Sequence, residues 1–154
     1  MPFNIENLKI EISVLIKNYR FLRKSFLQKI FGEKFLETDI EEMPEEDNYQ
    51  LINKVKKFIL DNLDNESLKI SHIASETGMS RTKFFIKWKF LTGEAPIEFM
   101  TRIRMEKARE LLESGKYSVQ VIPEMIGLKN LKNFRHKYKE YFGITPSKSI
   151  TKKL

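Results

Sequence analysis

Apolar residues recur along this chain with the spacing of amphipathic helices, and no segment shows the strict alternation of a half-buried strand. The pattern is strongest near the start. Within residues 5–31, two series of apolar side chains each repeat every seven residues: Ile5, Ile12, Tyr19 and Phe26 in the first, and Leu8, Leu15 and Leu22 in the second. This spacing predicts a coiled-coil-like helix that ends near Gly32.

The predicted N-terminal helix carries more apolar surface than a monomeric helix would expose, because Ile10, Val14 and Phe21 lie outside the seven-residue seam. Two interpretations are open. The helix could fold back on its own domain, or two copies of the chain could associate through it. In the second case the dimer seam would consist of Ile12, Leu15, Tyr19 and Leu22.

An acidic segment separates this helix from the rest of the chain. Residues 37–50 hold seven acidic side chains, no basic one and Pro44, a composition typical of a solvated linker. From residue 51 onward the helical periodicity continues, and all six glycines fall at predicted helix ends or in turns. The sequence therefore predicts an all-α domain over 51–154, which the linker joins to the helical segment within 1–36.

One stretch of this domain occurs twice, at 78–96 and at 127–146. Each copy consists of a short helix, a glycine turn, a basic helix, a second glycine and a proline that can begin the next helix. Ser80 and Asn130 stand where their side chains can cap the two basic helices. Matching positions pair Phe84 with Phe134, Trp88 with Tyr138, Lys89 with Lys139, Gly93 with Gly143 and Pro96 with Pro146.

The charge distribution favours a polyanionic partner for the repeated part. The whole chain has 28 basic and 21 acidic residues, yet residues 1–50 have a net charge of −3 and residues 51–154 a net charge of +10. Basic surfaces of this kind attract nucleic acid. The basic domain is therefore the candidate nucleic-acid binder.

A helix-turn-helix unit reads DNA through the outer face of its second helix, while an inner apolar face fixes that helix on the domain. Phe84 and Trp88, like their counterparts in the second copy, have inward spacing. The outer faces then hold Ile86 and Leu131 beside polar and basic residues. The candidates for reading bases are Arg81, Thr82, Phe85, Lys132, Arg135 and His136. The candidates for phosphate contacts are Lys83, Lys87, Lys89, Lys137 and Lys139.

Residues 51–154 resemble the AraC/XylS type of DNA-binding domain. The matching segments include Gly78-Met79-Ser80, Thr92-Gly93, Arg102-Ile103-Arg104-Met105, Leu111-Leu112, Ile126-Gly127-Leu128, Tyr141-Phe142-Gly143 and Thr145-Pro146-Ser147. The resemblance implies a seven-helix domain in which a long helix joins two helix-turn-helix units. It also implies a sequence-specific transcription regulator whose recognition helices, at about 80–90 and 130–142, enter successive major grooves of double-stranded DNA.

A shorter resemblance concerns the start of the chain. The segment Pro2-Phe3-Asn4-Ile5-Glu6-Asn7-Leu8 is similar to the last strand end and helix of a two-component receiver domain. Leu22-Arg23-Lys24-Ser25-Phe26 resembles the helix that leaves a receiver for its output domain. The resemblance implies that residues 1–36 are receiver-derived and that receiver or sensor segments lie upstream in the native protein. Phosphorylation there would control dimerisation through the N-terminal helix.

The first recognition helix departs from the AraC/XylS pattern. Ile86 stands where a basic reader is common, so Phe85 and Ile86 could contact thymine methyl groups or pack against a neighbouring helix or chain. The second recognition helix has the more polar outer face. We therefore expect Lys132, Arg135 and His136 to carry more of the specificity.

The second unit departs from the pattern in its supporting elements. Pro123 lies within its predicted first helix, which Ser118 would cap, and a proline there removes a backbone hydrogen bond and can kink the helix. Ser149 and Ile150 replace the usual Tyr-Arg pair after the final Pro-Ser.

Several classes of function lack their characteristic residues. The chain has no cysteine and two histidines, and it shows no nucleophile elbow, phosphate-binding glycine loop or metal-ligand spacing. We expect no enzyme activity, no metal and no cofactor. The lack of cysteine fits a cytoplasmic location, and no apolar run is long enough to span a membrane. The alternative to DNA-binding regulation is a protein-interaction module that keeps the fold and reads DNA weakly.

Overall fold

The computed structural model describes residues 5–31 and 45–151, and within these ranges the chain forms eight helices and no strand. They are α1 (Ile5–Phe31), α2 (Glu45–Asp61), α3 (Ile70–Glu76), α4 (Arg81–Thr92), α5 (Pro96–Glu113), α6 (Ile122–Met125), α7 (Leu131–Phe142) and α8 (Pro146–Thr151). The predicted all-α fold is confirmed. Among these eight helices, none is both long and apolar enough to cross a membrane.

Helix α5 is the central element of the domain. It contacts α2, α4, α6 and α8, so it touches elements of both helix-turn-helix units. Met105, Ala108 and Leu112 on this helix are almost completely buried. Because apolar residues occupy more than one face of α5, the helix can bury against both units at once.

One continuous core lies beneath both units. Its largest buried side chains include Phe84 and Trp88 from the first unit and Phe134 and Tyr138 from the second. The inward placement predicted for these aromatic residues is confirmed. Removing such large apolar surfaces from water is the main favourable contribution to folding.

Helix α2 begins before the predicted start of the domain at residue 51. It starts at Glu45, so the end of the acidic segment 37–50 is helical. Asp47 lies in the first turn, where a carboxylate interacts favourably with the helix dipole. The rest of that segment, like Gly32, lies outside the described residues.

The supporting helix of the second unit is shorter than the sequence predicts. Helix α6 spans only four residues, and Ser118 does not cap it: the Ser118 carbonyl instead accepts a turn hydrogen bond from the Val121 N–H at 3.2 Å. Pro123 therefore lies in the first turn of α6, where its missing N–H removes no intrahelical bond. The prediction of a helix interrupted by this proline is wrong, because the helix starts later.

A buried arginine joins α5 to the loop between α2 and α3, close to the Gly127 turn of the second unit. Arg104 is 9% exposed, and its Nη2 donates a hydrogen bond to the Asn65 carbonyl at 3.3 Å. Burial lowers the pKa of this guanidinium from its ordinary value. A Cβ atom on Gly127 would lie 2.5 Å from the Leu63 carbonyl oxygen and 3.0 Å from Arg104 Nη2. Only glycine fits where these segments meet.

Helix α1 contacts the domain through α4, as expected for a helix that folds back on its own domain. Most of its apolar surface nevertheless remains accessible. The four seam residues Ile12, Leu15, Tyr19 and Leu22 are 46%, 66%, 56% and 64% exposed. The contact with α4 thus leaves a large part of α1 available for a second partner.

Candidate nucleic-acid interface

The first helix-turn-helix unit consists of α3, a turn at Gly78 and α4. Ser80 Oγ accepts a hydrogen bond from the Lys83 N–H at 3.2 Å, which confirms the predicted cap of α4. Helix α3 begins after Lys69 without such a cap, and His72 Nδ1 instead accepts the Lys69 N–H at 3.2 Å. The recognition helix is therefore better fixed at its start than the helix before it.

The second unit consists of α6, a turn at Gly127 and α7. Asn130 Oδ1 accepts two hydrogen bonds, from the Lys132 N–H at 2.8 Å and the Asn133 N–H at 3.1 Å. These bonds satisfy two of the N–H groups that a helix start leaves without partners. The predicted cap is confirmed, and it is more complete than the cap of α4.

The inner faces of the two recognition helices use equivalent aromatic residues in different surroundings. The Trp88 ring packs 4.8 Å from the Phe99 ring of α5, but its buried Nε1 has no hydrogen-bond partner among the described residues. The Tyr138 hydroxyl forms a 2.8 Å hydrogen bond with Ser149 Oγ on α8. Burial raises the pKa of Tyr138, and the hydrogen bond with Ser149 opposes this shift. Tyr138 therefore ties α7 to α8 as a neutral phenol.

The outer face of α7 presents a polar row, which we call the second recognition stripe. Residues at spacings of three and four share one side of a helix. The stripe consists of Lys132, Arg135, His136 and Lys139, and all four are exposed. These side chains carry hydrogen-bond donors suited to base edges and phosphates. The structure thus brings three predicted base readers and one predicted phosphate contact together on an accessible surface.

The matching row on α4, the first recognition stripe, is different in character. It consists of Thr82, Phe85, Ile86 and Lys89. Thr82 is exposed, and Lys89 Nζ lies over the Phe85 ring at 5.9 Å from its centroid. Ile86 is only 2% exposed. Of the two alternatives that the sequence left open for Ile86, contact with thymine methyl groups and packing against a neighbouring helix or chain, this burial favours the second.

The remaining predicted DNA contacts are accessible to different degrees. Arg81 is exposed, whereas Lys83, Lys87 and Lys137 are half-buried. Leu131, which the sequence placed on the outer face of α7, packs against the hydrophobic core. An apolar side chain in the first turn of α7 gains more from that core than from solvent.

Two residues that support the interface were missed from the sequence. Ser149 completes the hydrogen bonding of Tyr138, and Arg104 donates to the Asn65 carbonyl in the loop against which the Gly127 turn packs. The only signal for Ser149 was its departure from the family pattern. Arg104 lay within a family motif but had no distinguishing chemistry of its own.

The described ranges contain no group of three or more histidine, aspartate or glutamate side chains that could hold a metal ion. The chemistry that the second recognition stripe offers is that of a polar and cationic surface. Such a surface binds phosphates through charge and bases through hydrogen bonds.

Comparisons with known proteins identify the family. A family model described as a helix-turn-helix domain matches residues 73–151, which is half of the chain. Histidine kinase P4 of Formosa agariphila is 31% identical over 148 residues, covering 95% of this chain and 10% of that protein. The Msm operon regulatory protein of Streptococcus mutans is 32% identical over 122 residues, covering 75% of this chain and 44% of that protein.

A solved structure shows the same architecture. The DNA-binding domain of AdpA, a global transcriptional factor solved in complex with a target DNA, aligns with a TM-score of 0.60 and 25% identity. The alignment covers 66% of this chain and 90% of that one. The chain belongs to the AraC-type helix-turn-helix family, whose members regulate transcription by binding DNA. It spans less than half the length of the two relatives named above.

Proposed function

We propose that this chain is the output region of a two-component regulator and that it binds a specific DNA site. Its recognition helices α4 and α7 would enter successive major grooves, about 34 Å apart on one face of the duplex. The observation that carries the proposal is the second recognition stripe. Its four exposed polar residues stand on a helix whose opposite side is anchored in the core by Phe134 and Tyr138.

The proposed role is non-catalytic and needs no cofactor. Arg135 and Lys132 can donate to guanine or to phosphate, and His136 can donate to either base edges or phosphate. The phosphate contacts of Lys83, Lys87, Lys89, Lys137 and Lys139 would supply affinity without sequence preference. Arg81, Thr82 and Phe85 remain the proposed base contacts of the first unit.

The two-component assignment draws on the similarity to Histidine kinase P4, which extends over almost the whole chain. It also draws on the receiver-like sequence at the start, of which residues 1–4 lie outside the described residues. In this proposal, sensor and receiver segments lie upstream, and the chain acts in the cytoplasm. Residues 1–36 would then be the receiver-derived helix and linker, and residues 51–154 the DNA-binding domain.

We further propose that the regulator is a homodimer through α1. Ile12, Leu15, Tyr19 and Leu22 form a row at heptad spacing, and each is at least 46% exposed. Contiguous apolar surface of this kind on a monomer usually marks an interface. Pairing two α1 helices would cover it and would place two DNA-binding domains on one site.

DNA binding is tested by titrating labelled duplexes with the protein over a series of salt concentrations. A regulator should prefer a duplex selected from a random library over unrelated sequence by about a thousandfold or more. The logarithm of its affinity should fall by about 0.9 per phosphate contact for each tenfold rise in salt. Weak binding that is blind to sequence would instead support a protein-interaction module with the same fold.

The dimer is tested by sedimentation of the wild type and of Leu15→Asp. We expect the wild type to be a dimer at micromolar concentration and Leu15→Asp to be a monomer, because a carboxylate in the apolar seam would be buried without a partner. Ser13→Asp is the matched control, since it introduces the same side chain at an exposed position outside the seam. A monomeric wild type, or equal effects of the two substitutions, would contradict the proposal.

A further inference from the structure

Ile86 is buried although it lies on the side of α4 that faces away from the hydrophobic core. Successive residues of an α-helix are rotated by about 100°, so Ile86 lies about 160° around the helix from both Phe84 and Trp88. Those two aromatic residues face the core and are fully buried. Ile86 is 2% exposed, yet it does not belong to the hydrophobic cluster that contains them.

Helix α1 is the element that can cover this side. Three described helices have substantial contacts with α4, namely α1, α3 and α5. Helices α3 and α5 contribute Ile73, Ala74 and Phe99 to the cluster on the inner side of α4. Since α3 and α5 lie on the inner side, α1 is the helix left to lie against the outer side of α4, where Ile86 lies.

The second unit shows what this position looks like without a cover. The alignment of the two copies matches Ile86 with His136. His136 is exposed beside Lys132 and Arg135 in the second recognition stripe. The same position therefore faces solvent on α7 and is enclosed on α4.

Other residues of the outer side of α4 are also engaged. Lys89 lies over the Phe85 ring, and Lys83 and Lys87 each take part in a polar, ionic or ring contact within the chain. In contrast to α7, the DNA-facing side of α4 is thus already a contact surface.

We propose that the outer face of α4 is a docking surface for α1 and that α1 blocks the first unit from DNA. This inference rests on the proposed function, because it assigns a regulator to the same recognition helix. DNA binding by both units requires α1 to leave α4, so only the fraction of molecules with α1 released can use both grooves. The apparent association constant is then the intrinsic constant multiplied by that fraction. Ile86 stands at a position that is proposed to read bases in the second unit, and in the first unit its apolar side chain stabilises the contact with α1.

The DNA arm of the test compares Ile86→Asn with the wild type on a selected duplex. Asparagine weakens an apolar contact without adding charge. Its amide can itself contact DNA, so the spin-label distances described below decide whether a gain in affinity comes from the release of α1. We expect tighter binding by roughly 5- to 150-fold, the usual range of coupling between sites. The protected region in a footprint should extend from one groove to two. Ile97→Asn, the same substitution at an exposed residue of α5, should change neither result.

The second arm needs no DNA. Because the chain has no cysteine, Asn18→Cys on α1 and Lys116→Cys on the domain can carry a pair of spin labels. We expect one narrow distance distribution in the otherwise wild-type protein and a broad one after Ile86→Asn. Ile97→Asn should leave the distribution narrow. Thermal unfolding of each variant checks that the domain remains folded.

The two arms separate the possible failures. An unchanged label distance after Ile86→Asn would overturn the docking of α1, whether or not the protein binds DNA. Equal affinities of wild type and Ile86→Asn for a specific duplex would overturn the blocking role. If every variant binds all duplexes weakly and equally, the proposed function fails, whereas the docking contact is still decided by the label distances.

Discussion

The two helix-turn-helix units share a backbone plan but present different surfaces. Each has a capped recognition helix that follows a glycine turn and ends at a glycine, and each buries two aromatic residues four positions apart. The second recognition stripe is polar and open. The first contains Phe85 and the enclosed Ile86. The same backbone arrangement thus carries an accessible polar surface on α7 and, on α4, a surface on which α1 is proposed to dock.

This difference shows that the fold and the reading surface depend on separate sets of residues. The inner positions of α4 and α7 hold large aromatic side chains in both copies, because both helices must be fixed on the same core. The outer positions are free of that constraint. They can therefore diverge until one helix reads DNA and the other binds a helix of its own chain.

The largest expected difference between the units concerns their turn glycines. Gly78 and Gly127 both have a left-handed backbone, with φ of +73° and +74°. A Cβ on Gly78 meets nothing within 4 Å, whereas one on Gly127 would overlap the Leu63 carbonyl. We expect Gly78→Ala to lower the free energy of unfolding by about 1–2 kcal/mol and Gly127→Ala by roughly 2–5 kcal/mol. Urea unfolding measures both, and equal losses would refute the close approach at Gly127.

The next difference concerns base reading. Arg135 and Phe85 occupy matching positions in the two stripes. Arg135→Ala should weaken binding to a selected duplex by about 1–3 kcal/mol and relax the preference at one base pair, because a bidentate contact is lost. Phe85→Ala should have a smaller effect, since Phe85 offers no hydrogen bond. Titrations against the selected duplex and its single-base variants would show this, and a larger loss for Phe85→Ala would reverse the assignment.

The helix caps should differ by a smaller amount. Asn130 accepts two N–H groups, while Ser80 accepts one at 3.2 Å. Loss of a cap costs about 0.5–2 kcal/mol. We expect Asn130→Ala to lie near the upper end and Ser80→Ala near the lower end, as measured by urea unfolding. The opposite order would mean that the shorter hydrogen bonds of Asn130 do not determine the stability of α7.

The smallest expected effect is on salt dependence. Lys139 is exposed on the second stripe, whereas its counterpart Lys89 lies over the Phe85 ring. Lys139→Ala should reduce the slope of log affinity against log salt by about 0.9, the value for one phosphate contact. Lys89→Ala should change the slope less while α1 remains on α4. Equal changes in slope would indicate that both lysines reach phosphate in the bound state.

The sequence was sufficient to predict the all-α fold and the aromatic residues of the inner faces, because periodicity and glycine positions agree along the whole domain. It also indicated that the two stripes are unequal. It did not predict the late start of α6, since turn geometry around Ser118 competes with helix extension before Pro123. The sequence allowed for packing of Ile86 against a neighbouring helix but could not indicate which helix, because a contact between α1 and α4 joins residues far apart in the chain.

Ser149 illustrates another limit of sequence reasoning. Its hydroxyl stabilises the fold because it forms a hydrogen bond with the hydroxyl of Tyr138, which lies on another helix. In the first unit the matching aromatic residue, Trp88, has no such partner among the described residues. Partners of this kind depend on three-dimensional packing, which local patterns do not encode.

We propose that α7 carries most of the sequence specificity. This proposal is tested by scrambling, one at a time, the two half-sites of a duplex selected from a random library. The half-site bound by α7 is identified as the one whose footprint Arg135→Ala weakens. We predict that scrambling this half lowers affinity by about a hundredfold or more, the cost of a few mismatched base pairs, and that scrambling the other half has a much smaller effect. Equal losses, or a larger loss at the half-site of α4, would show that α7 does not carry most of the specificity.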